Sequence, residues 1–270
     1  MNLSPSPVAV ISDLLDRFAV VIALIALLLV WETAGDLAGI PSFVLPTPSD
    51  IGASILKNWG ALLTHAWVTL LETLAGFGLS VMIGIPLAVF IVYSRIFSRV
   101  VYPMLVASQA VPKVALAPIL LVVLGYGVGP KIIVAFLIAF FPVVVNTVTG
   151  LASVDRDTLN LMHSMGASKV DVFRKVRFPH AVPSMIAGFK VAIAFAVVGE
   201  FVGSRSGLGY YMLLATGNFD TPLVFACVIL LTVMGVVLFY TVGLLEVALG
   251  RWNRRARLAQ AVETASAFGM

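Results

Sequence analysis

Four ionisable residues of this sequence lie inside long apolar stretches, where a charge is costly. They are Glu72, Lys113, Lys190 and Glu200. A charge at the centre of a bilayer costs about 2.5–3.5 kcal/mol on insertion scales, so such a residue is expected to be functional or paired. Lys113 is the most central of the four. Pro112 precedes it and Pro118 follows it, and prolines of this kind interrupt helices and free backbone carbonyls at transport sites.

Two interpretations of Lys113 remain open. In the first, Lys113 lines a solute pathway with Ser108 and Gln109, one turn earlier, and its charge attracts an anion. In the second, it pairs with a carboxylate, Glu72 or Glu200, and stabilises a bundle of helices. Embedded charges usually pair whether or not they also contact a solute, so the second interpretation is favoured. The predicted pathway residues are Ser108, Gln109, Lys113, Glu72 and Glu200, whereas Lys190 is expected to reach the membrane surface with its long side chain.

The apolar stretches around these charges are long enough to cross a bilayer. The chain has 270 residues, of which 60% are hydrophobic and 11% charged, and about 20 apolar residues suffice for one span. Six blocks satisfy this length: residues 18–39, 66–93, 100–124, 132–151, 181–201 and 221–245. The alternation typical of a membrane barrel is absent, so we predict an all-α membrane protein with six transmembrane helices.

The basic residues are distributed unevenly between the connections. With a cytoplasmic N-terminus, twelve of the seventeen Lys and Arg face the cytoplasm, three (Lys57, Lys131 and Arg205) face outside, and two lie within helices. This is the positive-inside distribution, and it predicts that both termini are cytoplasmic. It also explains the pI of about 9.4 without a nucleic-acid partner.

Three regions follow from this topology. Residues 1–17 form a cytoplasmic leader, residues 18–250 form one transmembrane domain, and residues 251–270 form a basic cytoplasmic tail that we expect to be frayed.

Motifs of catalysis are missing. The turn "GYGVGPK" at residues 125–131 lacks the Gly-Lys-Ser/Thr ending of a phosphate loop. His163 and His180 lack metal-ligand spacing, and the single Cys227 permits no intrachain disulfide. We therefore expect no catalytic residue, metal or bound cofactor in this chain.

Residues 161–183, "LMHSMGASKVDVFRKVRFPHAVP", form a polar insert between the fourth and fifth blocks. Apolar residues recur there at helical spacing, with one interruption at Gly166. Glycine readily adopts the left-handed conformation that ends a helix, and Ser168 stands three residues before Asp171, which is the spacing of a capping box. We predict one short helix that ends at Gly166 and a second that begins at Ser168 and ends before Pro179.

This second helix is predicted to be amphipathic and basic. It would present basic residues to water or a partner (Lys169, Arg174, Lys175 and Arg177) and apolar residues to an apolar surface (Val172, Phe173 and Val176). Such a helix suits either the anionic inner leaflet of a membrane or a groove on a protein partner, and composition alone leaves both open.

The insert also resembles the "EAA" loop of binding-protein-dependent ABC importer permeases. Gly166-Ala167-Ser168, Phe173, and Pro179 thirteen residues after the glycine carry the resemblance. Further segments resemble the nitrate, sulfonate and taurine group of these permeases: "FVLPTPSDI" (43–51), "GIPLAV" (84–89), "VPKVALAPILLVVLGYG" (111–127) and "GEFVGSRSGLGYYM" (199–212). The resemblance covers about residues 40–250, and it departs at Asn160, which stands where the motif has its leading glutamate.

This resemblance implies a type I ABC importer permease (MetI-like) bundle, with residues 152–180 as a loop whose coupling helix sits in a groove on an ATPase subunit. The implied ATPase-coupling residues are Met165, Gly166, Ala167, Ser168, Lys169, Asp171, Val172, Phe173, Arg174 and Pro179. Arg205 and Asp220 are implied to meet a solute-binding protein at the external mouth.

The implied partners are two ABC ATPase subunits that bind ATP and Mg²⁺, a second copy of this chain, an extracytoplasmic solute-binding protein and bacterial inner-membrane lipid. The solute would be small and anionic, like nitrate, a sulfonate or taurine, with a pyrimidine vitamin precursor or an aromatic acid as the alternative. It would cross by alternating access, and this chain would hydrolyse nothing. The rival class is a self-contained secondary transporter or channel, but the sequence shows neither an inverted repeat nor a filter motif.

Overall fold

Helices make up all the regular secondary structure in the described part of the chain. The computed structural model describes residues 7–37, 39, 41–125, 127–201 and 205–267. The helices are α1 (Pro7–Leu37), α2 (Pro48–Lys57), α3 (Trp59–Tyr93), α4 (Tyr102–Ser108), α5 (Ala117–Leu124), α6 (Val128–Ala152), α7 (Arg156–Ser164), α8 (Lys169–Val172), α9 (Phe178–Ala196), α10 (Leu208–Gly217) and α11 (Thr221–Ala267). The predicted all-α class is confirmed.

Shorter helical turns extend some of these helices. π-helical turns precede α4 (Phe97–Val101) and α9 (Phe173–Arg177), and 3₁₀ turns precede α5 (Lys113–Leu116) and follow α9 (Val197–Phe201). As a result, α8, its π turn and α9 belong to one helical run of 31 residues, Lys169–Gly199.

Four segments of the described chain are long and apolar enough to cross a membrane. They are Trp59–Tyr93, Val128–Ala152, Lys169–Gly199 and Thr221–Leu244. A fifth is counted if the bent pair Phe97–Ser108 and Lys113–Leu124 forms one span, and α1 contains a shorter apolar stretch, Val21–Ala34. The six predicted blocks therefore correspond to four unbroken spans, one bent helix pair and one shorter apolar stretch within α1.

The third block is an interrupted helix, in agreement with the interruption that Pro112 and Pro118 predict. α4 ends at Ser108, and the chain resumes helical structure only at Lys113, with an angle of 84° between the two arms. Pro112 explains the break, because it has no amide hydrogen and disfavours helical geometry at the preceding residue.

Helical structure extends into both regions that flank the predicted transmembrane domain. α1 begins at Pro7, inside the predicted leader, and α11 continues through the predicted frayed tail to Ala267. Residues 251–267 contain neither glycine nor proline and are rich in alanine, arginine and other strong helix formers.

The described chain divides into two compact units. The first contains residues up to Leu62 and the segment Met212–Val228, and the second contains Leu63–Tyr211 and residues from Ile229 onward. In the first unit, Ser49 donates its amide and its hydroxyl to the Glu32 carboxylate, at 3.0 and 2.6 Å. These bonds join α1 to the start of α2.

In the second unit, small residues allow α6 and α9 to pack closely. The core of this contact comprises Ala135, Ala139 and Val143 from α6 with Ala192 and Ala196 from α9. A Cβ added at Gly188 would lie 2.5 Å from Asn146 Cβ, so only glycine fits there without a shift. Small residues favour helix association in lipid, where hydrophobicity itself provides no driving force between helices.

α3 approaches α6 at two glycines in the same way. An added Cβ would lie 2.6 Å from Ala135 Cβ at Gly76, and 2.9 Å from Val143 Cγ1 at Gly84. Gly76 and Gly84 therefore allow close packing of α3 on α6. Gly78 has no such contact, because an added Cβ there would meet nothing within 4 Å.

Candidate functional site

The polar insert begins within α7, and this helix ends in a glycine turn. Gly166 has φ +73°. Its amide donates to the carbonyl of His163 at 3.0 Å, and the amide of Ala167 donates to the carbonyl of Met162 at 3.0 Å. These two bonds form a Schellman motif, which uses the left-handed conformation that glycine adopts most easily. The prediction that the first short helix ends here is confirmed.

Ser168 begins the second helix, as predicted. Its Oγ accepts the amide of Asp171 at 3.2 Å and donates to Asp171 Oδ2 at 2.6 Å. Lys175 forms an exposed ion pair with Asp171 at 2.8 Å. The serine therefore satisfies one of the amides that a helix start leaves without an intrahelical partner.

The prediction that this helix ends before Pro179 is wrong. The backbone widens into the π turn Phe173–Arg177, where the amide of Phe178 donates to the carbonyl of Phe173. Pro179 then occupies the first turn of α9. A proline is tolerated there because the π turn before it has a different hydrogen-bond register from an α-helix. The missing amide and the ring of the proline therefore disrupt little. The insert is therefore continuous with a membrane-crossing helix.

Large apolar side chains of the insert are exposed. Leu161, Met165 and Val170 are 61%, 74% and 63% exposed. Lys169 and Arg174 are exposed beside them in sequence. This combination of apolar and basic side chains, outside the apolar blocks, defines what we call the outer surface of the insert.

Other residues of the insert pack against the bundle. Val172 is only 3% exposed, and the ring of Phe173 lies 6.3 Å from that of Tyr93 at the end of α3. Arg177, which was predicted to face water or a partner, instead donates to the carbonyl of Leu151 in α6 at 2.7 Å. The helix therefore has an inner surface that belongs to the chain's own core.

Three predicted pathway residues lie at the break between α4 and α5. Ser108 is the last residue of α4, donating its hydroxyl to the carbonyl of Leu105 at 2.7 Å, and Gln109 follows it. Lys113 opens the 3₁₀ turn, and its Nζ lies 4.5 Å from the centre of the Phe141 ring. An aromatic face stabilises a cation at this distance, so the charge of Lys113 has a partner in α6.

The carboxylate of Glu72 pairs with Lys131 and not with Lys113. Lys131 Nζ lies 3.0 Å from Glu72 Oε2, and the two side chains are 1% and 4% exposed. Lys131 also donates to the carbonyl of Ser206 at 2.6 Å. Lys131 was counted among the residues facing outside, but it is buried inside the protein.

Two further side chains of α3 bind the same loop. His65 Nδ1 accepts the amide of Gly207 at 3.1 Å, and Thr69 Oγ1 accepts the amide of Leu208 at 2.9 Å. The ring of His65 also stacks on that of Tyr211, with centroids 4.7 Å apart. Together with the Lys131 bond, these contacts hold residues 206–208 against α3 and α6.

Sequence analysis missed His65, Thr69 and Lys131. His65, Thr69 and Glu72 recur at helical spacing, so a polar stripe on α3 was detectable. The partners of this stripe could not be detected, because the amides that bond to His65 and Thr69 lie 142 and 139 residues away in the chain.

The remaining residues singled out from the sequence belong neither to the helix break at Lys113 nor to the Glu72–Lys131 pair. Lys190 Nζ lies 5.8 Å from the centre of the Phe239 ring in α11. Arg205 is exposed, and Asp220 Oδ1 accepts the amide of Leu223 at 3.1 Å at the start of α11. The side chain of Glu200 lies outside the described residues.

Comparison with known families identifies the class of protein that this fold and insert define. The model of the family described as "binding-protein-dependent transport system inner membrane component" matches residues 80–251, more than half of the chain. The chain belongs to this family. It is an ABC importer permease of the MetI-like type, a multi-pass inner-membrane protein and not a catalytic subunit.

Curated relatives are similar in sequence to this chain over most of its length. The formylaminopyrimidine transport permease protein ThiX of Halalkalibacterium halodurans is 36% identical over 85% of this chain and 93% of that protein. The riboflavin transport system permease protein RibX of Chloroflexus aurantiacus is 36% identical over 86% of this chain and 89% of that protein. A putative aliphatic sulfonates transport permease protein, SsuC of Bacillus subtilis, is 30% identical over 83% of each chain.

Among solved structures, a chain of the MetNI methionine ABC transporter in an inward-facing conformation has the same fold. The TM-score is 0.63, with 19% identity, over 72% of this chain and 98% of that chain.

Proposed function

We propose that this chain is the subunit through which an ATP-driven importer moves its solute, and that the polar insert docks on an ATPase subunit. The observation that carries the proposal is the outer surface of the insert, where Leu161, Met165 and Val170 are more than half exposed. Apolar side chains exposed together with basic ones suit a groove on a protein partner.

The insert is built to transmit movement. Its second helix continues through the π turn into α9, so a displacement of the insert displaces a membrane-crossing helix with it. The predicted coupling residues fall into three groups by placement. Met165, Lys169 and Arg174 are exposed and available for contact. Gly166, Ala167, Ser168 and Asp171 shape the turn and the helix start, while Val172 is buried, Phe173 packs on Tyr93 of α3, and Pro179 lies in the first turn of α9.

The complete transporter, in this proposal, contains two copies of the permease and two ATPase subunits that bind ATP and Mg²⁺. Closure of the ATPase dimer moves both inserts and switches access to the pathway from one side of the membrane to the other. An extracytoplasmic solute-binding protein delivers the solute, with Arg205 and Asp220 at the receiving surface. The family description and the fold shared with the MetNI transporter support this assembly.

For the solute, we favour a nitrogen heterocycle of the vitamin or vitamin-precursor class. The relatives at 36% identity are named for formylaminopyrimidine and riboflavin transport, whereas those named for aliphatic sulfonates are 30% and 27% identical. The cation of Lys113 at the helix break supports the other candidate class, a small anion such as a sulfonate, nitrate or taurine.

Docking is tested by co-purification of the ATPase in detergent. Gly166→Val should reduce the ATPase recovered, because a β-branched residue is strained at φ +73° and would disrupt the turn. Gly125→Val is the matched control. Gly125 has φ +77° and, like Gly166, no atom within 4 Å of an added Cβ, but it lies outside the insert. Equal ATPase recovery with both variants would contradict docking through the insert.

The solute class is tested by uptake into cells that express the complete transporter with its binding protein. Labelled formylaminopyrimidine and riboflavin are compared with taurine, nitrate and an alkyl sulfonate, with and without depletion of ATP. ATP-dependent uptake of a heterocycle supports the proposal. Uptake of only the anions would contradict it and assign the solute to the anion class. Uptake that survives ATP depletion would favour the secondary transporter.

The same assay tests the role of Lys113. Lys113→Met should reduce uptake and Lys113→Arg should retain most of it, because a pathway role depends on the charge. Full uptake by the Met variant would remove Lys113 from the mechanism.

A further inference from the structure

Arg177 joins the polar insert to the ends of two other helices. Its Nη1 donates to the carbonyl of Leu151, in the last turn of α6, at 2.7 Å. Its guanidinium carbon lies 5.5 Å from the centre of the ring of Tyr93, the last residue of α3. One side chain of the π turn therefore contacts both α3 and α6.

Aromatic and apolar packing surrounds this contact. The ring of Phe173 lies 6.3 Å from Tyr93 and 5.7 Å from Phe178. Phe173 also packs against the buried cluster of Leu151, Ala181 and Met185. The Nε of Arg177 is buried and makes no hydrogen bond within the described residues. The guanidinium is thus partly shielded from water, which strengthens its attraction to a ring face and to a carbonyl.

Arginine suits these two contacts for a physical reason. The last carbonyls of a helix lack intrahelical donors and form the negative end of its dipole, so a cation there is favourable. A guanidinium donates in its plane and stacks through its face at the same time, whereas the ammonium of lysine is a compact charge that does not stack. The neighbouring Arg174 and Lys175 are exposed and lack this arrangement.

We propose that Arg177 is a positioning residue that transmits displacement of the insert to α3 and α6. α9 already packs directly on α6, where a Cβ added at Gly150 would lie 2.9 Å from the carbonyl oxygen of Ala181. The last turns of α3 also pack on α6, where Ala88 and Ile91 meet Val144 and Val148. Arg177, with Phe173, links the insert directly to the final residue of α3, so that three membrane-crossing helices follow the insert together. The inference rests on the proposed function, because it requires an ATPase to move the insert.

The experiment uses the intact complex with its co-purified ATPase and measures hydrogen exchange by mass spectrometry. Exchange is compared without nucleotide and with MgATP plus orthovanadate. In the wild type, the nucleotide should change exchange in peptides that cover α7 and the insert, 156–176, and in peptides from the ends of α3 and α6, 85–95 and 145–153.

Arg177→Met should leave the nucleotide-dependent change in the insert and decrease the change at the ends of α3 and α6 at least about threefold, since it removes the hydrogen bond and the cation–π contact. Tyr93→Leu should decrease the change at the end of α3, and Tyr93→Phe should retain it because the ring remains. Arg99→Met is the matched control, since Arg99 is an exposed arginine in the other π turn. If Arg177 were purely structural, its substitution would alter exchange already in the absence of nucleotide. The nucleotide-dependent change would then be scaled by the same factor in every peptide.

A full nucleotide-dependent change at both helix ends in Arg177→Met would overturn the inference and leave the proposed function intact. Failure of the wild-type chain to recover an ATPase, or of its insert to respond to nucleotide, would overturn both. If Arg177→Met does not assemble, Tyr93→Leu decides, and an unchanged response at the end of α3 in that variant overturns the inference.

Discussion

At the residue scale, the buried pair Glu72–Lys131 shows how this chain accommodates charge within its membrane-crossing helices. Removing two charges from water is expensive, and the cost is recovered only when they meet in good geometry with further hydrogen bonds. Lys131 satisfies this condition, since it contacts Glu72 at 3.0 Å and the carbonyl of Ser206 at 2.6 Å. The pair therefore fixes the loop at Ser206 as well as neutralising two charges.

Breaking this pair should destabilise the protein strongly. Glu72→Gln leaves the ammonium of Lys131 buried without its counter-ion, so we expect a loss of about 3–5 kcal/mol in the free energy of unfolding, measured by denaturation in detergent. The double variant Glu72→Gln/Lys131→Met should be less destabilised than the sum of its singles, because no charge is left buried alone.

Lys175→Met is the control for the buried pair. It breaks the exposed ion pair with Asp171, in which the lysine side chain is 70% exposed, and should change stability little. A shift as large as that of Glu72→Gln would show that burial is not the cause.

At the element scale, two local features of the insert were predictable and a third was not. Gly166 and Ser168 act on the residues next to them, so a helix end and a helix start could be placed from sequence. The rule that proline ends a helix failed at Pro179 because the π turn before it changes the hydrogen-bond register. That turn is occupied by Phe173 and Arg177, whose partners Tyr93 and Leu151 come from other helices.

The packing of α6 on α9 depends on glycine at the contact. Gly188→Ala should destabilise the bundle by about 1–3 kcal/mol, because its Cβ would lie 2.5 Å from Asn146 Cβ and 2.8 Å from the carbonyl oxygen of Pro142. Gly78→Ala, in α3, meets nothing within 4 Å and should stabilise by up to about 1 kcal/mol through helix propensity. Thermal denaturation of both variants in the same detergent makes the comparison, and equal shifts would contradict the close contact at Gly188.

At the scale of the whole molecule, orientation in the membrane decides whether the proposed function is physically available. Docking on an ATPase requires the insert to lie in the cytoplasm. The excess of basic residues on that side predicts this orientation, with both termini cytoplasmic.

Orientation is measured with single cysteines introduced after Cys227→Ser removes the native thiol. An impermeant maleimide should label cysteines at Lys57 and Arg205 in intact cells, and should label those at Arg99 and Lys169 only after the membrane is permeabilised. All four positions are exposed, so access and not burial determines labelling. The reverse pattern would place the insert outside and rule out its docking on an ATPase.

Features with short-range causes were determined by the sequence alone. The apolar blocks specify a helical membrane protein, because backbone groups in lipid must be satisfied within each segment. The glycine turn at Gly166 and the cap at Ser168 depend on neighbouring residues, and together with the spacing to Pro179 they indicated the permease family.

Only the tertiary structure determined the partners of the charged residues. Lys131 binds Glu72, 59 residues away, and Arg177 binds the carbonyl of Leu151, 26 residues away. Nothing local selects one lysine over another for a given carboxylate, since pairing depends on which helix faces meet. Those faces are set by close contacts at glycines such as Gly76 and Gly188. The packing of α3, α6 and α9 therefore places Lys131, and not Lys113, beside Glu72, and it directs Arg177 toward the bundle.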